Sequence, residues 1–217
     1  MTAIVRLTRV SKSFGTGGDP VLTDVSFAIE PGQRASLVGV SGSGKSTILL
    51  LNAGLLRPDS GTVEPDDVSL AGLDDAAMAR LRSRRIGIAL QSDNLIPFLS
   101  AQEHIALAQG FGPGKRNPKR AHALLDRMGV AHRAAHLPRQ MSGGQAQRVS
   151  LAVALANAPA LLLADEMVAQ LDHDTAEAAV GDVFDSDMAV LLVTHDLALA
   201  ARADLRLGVQ GKSVASQ

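Results

Sequence analysis

Residues 35–51 read ASLVGVSGSGKSTILLL, an apolar run, a glycine-rich turn and a second apolar run. Ala35 to Val40 has the character of a buried strand, and Ile48 to Leu51 reads as helix. Between them GVSGSGKST, residues 39–47, fits G-x-x-x-x-G-K-[ST], with Gly39, Gly44, Lys45 and Ser46 at the fixed places. The glycines let the backbone curl, so that the N–H groups from Gly39 through Ser41, Gly42, Ser43 and Gly44 to Thr47 point at phosphate oxygens beside a helix N-terminus. Lys45 is placed to hold β and γ phosphates, and the Ser46 hydroxyl to ligate Mg²⁺. A merely flexible Gly/Ser loop is the competing reading. The position, where a strand ends and a helix begins, argues against it.

Outward from this turn, the order of elements implies an α/β protein. Residues 21–30 (VLTDVSFAIE) alternate, with Val25, Phe27 and Ile29 on one face and Asp24, Ser26 and Glu30 on the other. That pattern predicts a half-buried strand in an antiparallel sheet. Pro58–Gly61 (PDSG) reads as a turn, residues 74–84 as a helix and Ile86–Leu90 as a short buried strand. Between about 93 and 140, prolines and glycines interrupt short helical patterns at Ala101–Gln109 and Lys119–Met128. This stretch is expected to be a small helical insertion. Regular alternation returns with a helix from Ser142 to about Ala156, a strand at Leu161–Ala164, a helix near Asp174–Phe184 and a strand at Ala189–Val193. Strands alternating with helices predict a mostly parallel sheet.

Composition narrows the function. The chain has 217 residues, with 21 Lys and Arg against 22 Asp and Glu, so it lacks the basic excess of a nucleic-acid binder. No cysteine is present, which excludes disulfides, thiolate metal sites and a cysteine nucleophile. Trp and Tyr are absent and Phe numbers five, so the core must be aliphatic. The longest apolar run, Val149 to Ala164, is broken by Ser150, Asn157 and Pro159 and predicts a buried helix and strand, not a membrane span. The N-terminus, with Arg6 and Arg9 in its apolar stretch, does not read as a signal peptide.

Two further segments carry chemistry. Leu161–Glu166 (LLLADE) is an apolar strand ending in two carboxylates, and ligands of parallel sheets bind beyond the strands' carboxyl ends. Asp165 is thus placed to reach Mg²⁺ through water, and Glu166 to orient and polarise an attacking water. Ser142 and Gln145 in Met141–Gln145 (MSGGQ) form an S-x-x-Q capping box that opens a helix.

With SGGQAQRVSLAVALANAPALLLADE following the phosphate loop, the sequence resembles the ATP-binding subunits of ABC transporters along nearly its whole length. The resemblance implies a P-loop NTPase fold in a single domain: a core of residues 1–92 and 141–217, an N-terminal antiparallel β part and a helical subdomain over about 93–140. It implies that Phe14 stacks on adenine, where the family usually has Tyr. It further implies that Gln91 contacts Mg²⁺ and water and that His195 meets the γ-phosphate, while Asp172 crosses between sites. Ser142, Gly143, Gly144 and Gln145 would bind ATP held by the opposite subunit of a head-to-tail homodimer or heterodimer. The implied partner is a separate membrane permease, with the ATPase on the cytoplasmic face of the membrane, ATP and Mg²⁺ as cofactors and no nucleic acid. RRIGIALQSDNLIPFLSAQEHIALA, residues 84–108, is similar to the lipoprotein-release, macrolide-export and cell-division branch.

The sequence departs from the family pattern in places. Met167 and Val168 stand for Pro-Thr, Ala169-Gln170 precede Leu171-Asp172 where Ser-Ala is usual, and Val153 replaces an arginine. The end, Leu205–Gln217, is shorter than the usual strand-turn-strand. The phosphate, Mg²⁺ and water ligands survive, which predicts hydrolysis. The altered loop makes communication between sites the property in question and leaves two rivals: a weakly hydrolysing nucleotide-gated module, and a non-transport ABC ATPase. The latter class carries long coiled-coil insertions or paired cassettes, and this chain has neither. Arg80, Arg82, Arg84 and Arg85 read as a solvated helix face, and His132 with His136 as surface residues rather than a metal site.

Overall fold

The computed structural model describes residues 3–15, 18–90, 95–166 and 187–216. Its strands are β1 (Val5–Ser13), β2 (Pro20–Ile29), β3 (Arg34–Gly39), β4 (Ser60–Pro65), β5 (Ile86–Ala89), β6 (Leu161–Asp165), β7 (Ala189–Val193), β8 (Leu205–Gln210) and β9 (Ser213–Ser216). The α-helices are α1 (Lys45–Asn52), α2 (Asp75–Arg85), α3 (Ala101–Phe111), α4 (Pro118–Arg127), α5 (Gly143–Ala154) and α6 (Leu197–Ala200). A small antiparallel sheet is ordered β2-β1-β4, and a larger one β5-β6-β7-β3-β8-β9. The larger sheet is parallel up to β8, and β9 closes it as an antiparallel edge.

Every residue of β6 and β7 is buried, as expected for parallel strands covered on both faces. Alternate residues then serve opposite cores. Leu161, Leu163, Leu191 and Val193 pack with α1 (Ile48, Leu49, Leu51) and with the small sheet's Leu7, Leu22 and Ile29. Leu162, Ala164, Val190 and Leu192 pack on the other side with Ile105, Leu125 and Val149 of α3–α5. Within residues 95–140 lie α3 and α4, and their apolar cluster is continuous with one face of the main sheet.

Local chemistry explains the element boundaries. The β2 alternation holds, with Val25 and Ile29 buried, Phe27 half-buried and Asp24 and Ser26 exposed. Helix α1 begins at Lys45, three residues before its apolar run, because Gly44 takes φ 103° and turns the chain into the helix. Asn117 caps α4 by accepting from the Arg120 N–H at 3.0 Å, with Pro118 in the first turn. The period of two is interrupted in β1 and confined to two residues in β4. In β1 the buried residues are Val5, Leu7 and Val10, and the step of three falls at a register shift, where Arg9 has φ 49°. In β4 only Val63 and Pro65 are buried, and its first residues belong to the PDSG stretch that reads as a turn. The short C-terminal end is still a complete strand-turn-strand, closed by a two-residue turn with Gly211 and Lys212 at φ 54° and 74°.

The arginine cluster divides. Arg80 and Arg84 are exposed, whereas Arg82 donates to the Gly54 carbonyl at 3.1 Å and Arg85 forms a two-pronged ion pair with Asp66. Arg82 therefore ties α2 to the end of α1, while Arg85, itself exposed, pairs with the turn after β4. The expected helix at 174–184 lies outside the described residues.

Candidate functional site

Strand register builds the site. Leu37 pairs with Val193, and Asp165 also pairs with Val193, so β6 and β7 end level and β3 runs two residues further, to Gly39, at the same edge of the sheet. The phosphate loop after β3, the carboxylates after β6 and Thr194–His195 after β7 therefore share one rim. They enclose a cleft of about 370 Å³ whose walls include Ser41, Gly42, Gly44, Lys45, Ser46, Thr47, Asp165, Glu166 and His195, with Phe14 among them.

The loop requires its glycines. A Cβ at Gly44 would lie 2.7 Å from Leu22 Cδ2, at a φ that side chains rarely adopt. A Cβ at Gly39 would lie 2.7 Å from the Val209 carbonyl oxygen. The first N–H groups of α1 have no intrahelical acceptor and face the cleft as an anion site. Lys45 is buried and donates to the carbonyls of Gly39 and Val40, both at 2.8 Å. Burial lowers its pKa, and the negative charges of Glu166 and Asp165 oppose that shift.

Ser46 Oγ donates to Asp165 Oδ2 at 2.8 Å, so the hydroxyl and carboxylate meet although 119 residues separate them. A hydroxyl and one carboxylate are the sparse oxygen set with which Mg²⁺ is held beside phosphates. Among the described residues no cluster of three or more His, Cys, Asp or Glu could hold a metal unaided.

Glu166 stands in the left-handed region, at φ 50°, which costs roughly 1 kcal/mol for a residue with a side chain. Its N–H donates to the Val193 carbonyl at 2.9 Å, and its own carbonyl accepts from Gln147 Nε2 at 2.6 Å. Its Oε1 is buried without a hydrogen-bond partner among the described residues and lies 3.7 Å from His195 Nε2. Burial pushes the Glu166 pKa up. The His195 ring and backbone N–H and the charge of Lys45 hold it down, and Asp165 adds to the rise. A buried, underbonded carboxylate is the state that favours accepting a proton from water.

Phe14 is half exposed at the cleft's edge. Lys12 Nζ sits 5.7 Å from its ring centroid and is itself fixed to Asp59 at 2.7 Å. Ser142 caps α5 as expected, accepting from the Gln145 N–H at 3.3 Å while Gln145 Oε1 accepts from the Ser142 N–H at 3.1 Å. Ser142 and Gly143 are exposed, and none of the four signature residues lines this cleft. Gln91 and Asp172 lie outside the described residues, as do Met167–Gln170. His132 lies within a 3-10 turn, Ala131–Arg133, and His136 follows it, its Nε2 meeting Arg133 Nη1 at 3.1 Å.

Gln147 is the contact that sequence reading missed. It stands in the quoted segment five residues after Ser142, but a bond to a main-chain carbonyl leaves no pattern in residue types.

Known proteins resemble this chain in sequence and in fold. A family model described as ABC transporter matches residues 22–169. The chain is 38% identical over 220 residues to the lipoprotein-releasing system ATP-binding protein LolD of Pseudomonas syringae pv. tomato, covering 96% of each chain. Over 210 residues it is 44% identical to the LolD protein of Maricaulis maris, covering 93% of this chain and 91% of that one. A dimeric, post-hydrolysis structure of the ATP-binding cassette MJ0796 bound to ADP and Pi superposes with a TM-score of 0.92. It is 34% identical and covers 98% of this chain and 97% of its own.

Proposed function

The chain belongs to the ABC transporter family as one of its ATP-binding, ATP-hydrolysing cassettes, and from that premise we propose how its residues do the work. The observation that carries the assignment is the meeting of Lys45, the Ser46–Asp165 pair, Glu166 and His195 on one cleft at the carboxyl ends of β3, β6 and β7.

The backbone from Gly39 to Thr47 cradles the phosphates, and Lys45 adds its charge to the β and γ groups. Ser46, Asp165 (through water) and Gln91 would hold Mg²⁺, which supplies positive charge against the phosphate oxygens when bound. Phe14 offers its exposed face to adenine. Glu166 orients a water and takes its proton as the water oxygen bonds to the γ-phosphorus. The bond from that phosphorus to the β–γ bridging oxygen breaks, its electron pair leaves with ADP, and phosphate is released. His195 steadies the γ-phosphate.

Two subunits close head-to-tail, each presenting Ser142–Gln145 to the ATP of the other, and the dimeric MJ0796 cassette supports the pairing of two such subunits. The exposure of Ser142 and Gly143 suits it, since a helix N-terminus facing outward is free to meet a partner's phosphate. Closure and hydrolysis drive a separate membrane permease, against whose cytoplasmic side the subunit lies. None of the described helices is long and apolar enough to cross a membrane. The names of the relatives support the lipoprotein-release branch.

Comparing ATP turnover of the wild type and Glu166→Gln, each with its permease, tests the reading. Loss of turnover in the variant is expected. Equal rates would favour the nucleotide-gated module that the altered Met167–Gln170 segment suggests.

A further inference from the structure

Glu166 is held at both of its main-chain polar groups, and the two grips come from different parts of the fold. Its N–H donates to β7 at Val193. Its carbonyl receives the Gln147 amide from α5, at 2.6 Å, the shortest approach of that helix to the catalytic rim among the described hydrogen bonds. The grip acts on a residue with φ 50°, a conformation that persists only where the surroundings impose it. A hydrogen bond and the cost of a left-handed residue are of comparable size, so loss of the bond frees the residue to leave that well and carry its carboxylate elsewhere.

We propose that Gln147 is a positioning residue for the general base and a line of communication between the two ATP sites. The proposal rests on the head-to-tail reading given above. In that arrangement the N-terminus of α5, at Ser142, meets the ATP of the opposite subunit, while Gln147, in the next turns of the same rigid helix, holds the Glu166 that serves the chain's own ATP. Seating α5 on the partner's γ-phosphate therefore sets the position of Glu166 in its own cleft. Each subunit's base is aligned only when the facing site is filled.

The test compares wild type, Gln147→Met and Gln147→Lys. Methionine keeps the length and volume of the side chain without a donor, and lysine restores one. Steady-state ATP hydrolysis and its dependence on ATP concentration are measured for each, with ATP-driven dimerisation followed by size-exclusion chromatography in a Glu166→Gln background. For Gln147→Met, kcat is expected to fall about ten- to hundredfold, the scale of a misplaced catalytic group, with KM unchanged and dimerisation retained. Coupled sites are expected to give the wild type a sigmoidal dependence on ATP, and Gln147→Met is expected to lose it. Gln147→Lys should recover most of both.

A Gln147→Met rate within twofold of the wild type overturns the proposal. So does a lysine variant no better than methionine, which would mean that packing rather than the donor matters. Retained sigmoidality in a slowed Gln147→Met variant overturns the communication role. A wild type that neither dimerises with ATP nor hydrolyses it overturns the underlying reading, and is distinguished by failing before any variant is compared.

Discussion

Asn157 closes a joint whose strength can be worked out bond by bond. Its Nδ2 donates to the Ser83 carbonyl at 3.0 Å and to the Ala108 carbonyl at 2.9 Å, linking the end of α2, the body of α3 and the chain just after α5. The side chain is half-buried at the wall of a groove of about 500 Å³ between these elements, with Val153 and Phe111 beside it. In Asn157→Ala both bonds go, at about 1 kcal/mol each, and water entering the groove partly replaces them. The expected loss is about 1–2 kcal/mol, a Tm decrease of roughly 2–8 °C for a chain of this size. Asn157→Asp keeps the shape but aims carboxylate lone pairs at two carbonyl oxygens, so it should cost at least about 1 kcal/mol more than alanine at neutral pH. Urea unfolding monitored by circular dichroism gives both values. ATP affinity should be unchanged, because Asn157 does not line the nucleotide cleft. Equal stabilities for the alanine and aspartate variants, or losses below about 0.5 kcal/mol in both, would refute the argument that the amide's two donors hold the joint.

Four further outcomes follow from the site. In Gly44→Ala the methyl group meets Leu22 and the backbone sits in the left-handed region, which together cost about 2–4 kcal/mol; thermal unfolding and loss of ATP binding check it. The Phe14→Ala change should leave stability within about 0.5 kcal/mol, since the ring is half exposed, and weaken ATP about three- to tenfold by calorimetry. An unchanged affinity removes Phe14 from the adenine site. Because burial raises the Glu166 pKa, the base is lost to protonation at a pH above the ordinary glutamate range, so the acid limb of kcat should lie above that range. The same sign makes the ionised group a stability cost as pH rises through its folded pKa, so Glu166→Gln should raise Tm at neutral pH and lose that advantage in acid.

How much of this was legible beforehand depended on whether a feature leaves a mark in residue order. The phosphate loop did, because φ values such as that of Gly44 demand glycine there. So did the capping box at Ser142 and Gln145 and the fully buried β6 with its terminal carboxylates. Strand β1 did not, because the irregularity near Arg9 breaks the period of two by which strands are recognised. The partition of the arginines was hidden for another reason: Arg82 and Arg85 find their partners at Gly54 and Asp66, contacts set by tertiary packing. Backbone acceptors hid the Gln147 and Asn157 contacts in the same way, since a carbonyl is present at every residue.

The half-exposed ring of Phe14 has an optical consequence. With no Trp or Tyr anywhere in the chain, the protein is nearly silent in ultraviolet fluorescence. A tryptophan put in place of Phe14, at the cleft's edge, would be the molecule's sole indole emitter, with Lys12 beside it and open to solvent on one face. Its emission would report arrival and departure of the nucleotide base without a label, and without any background from the aliphatic core behind it.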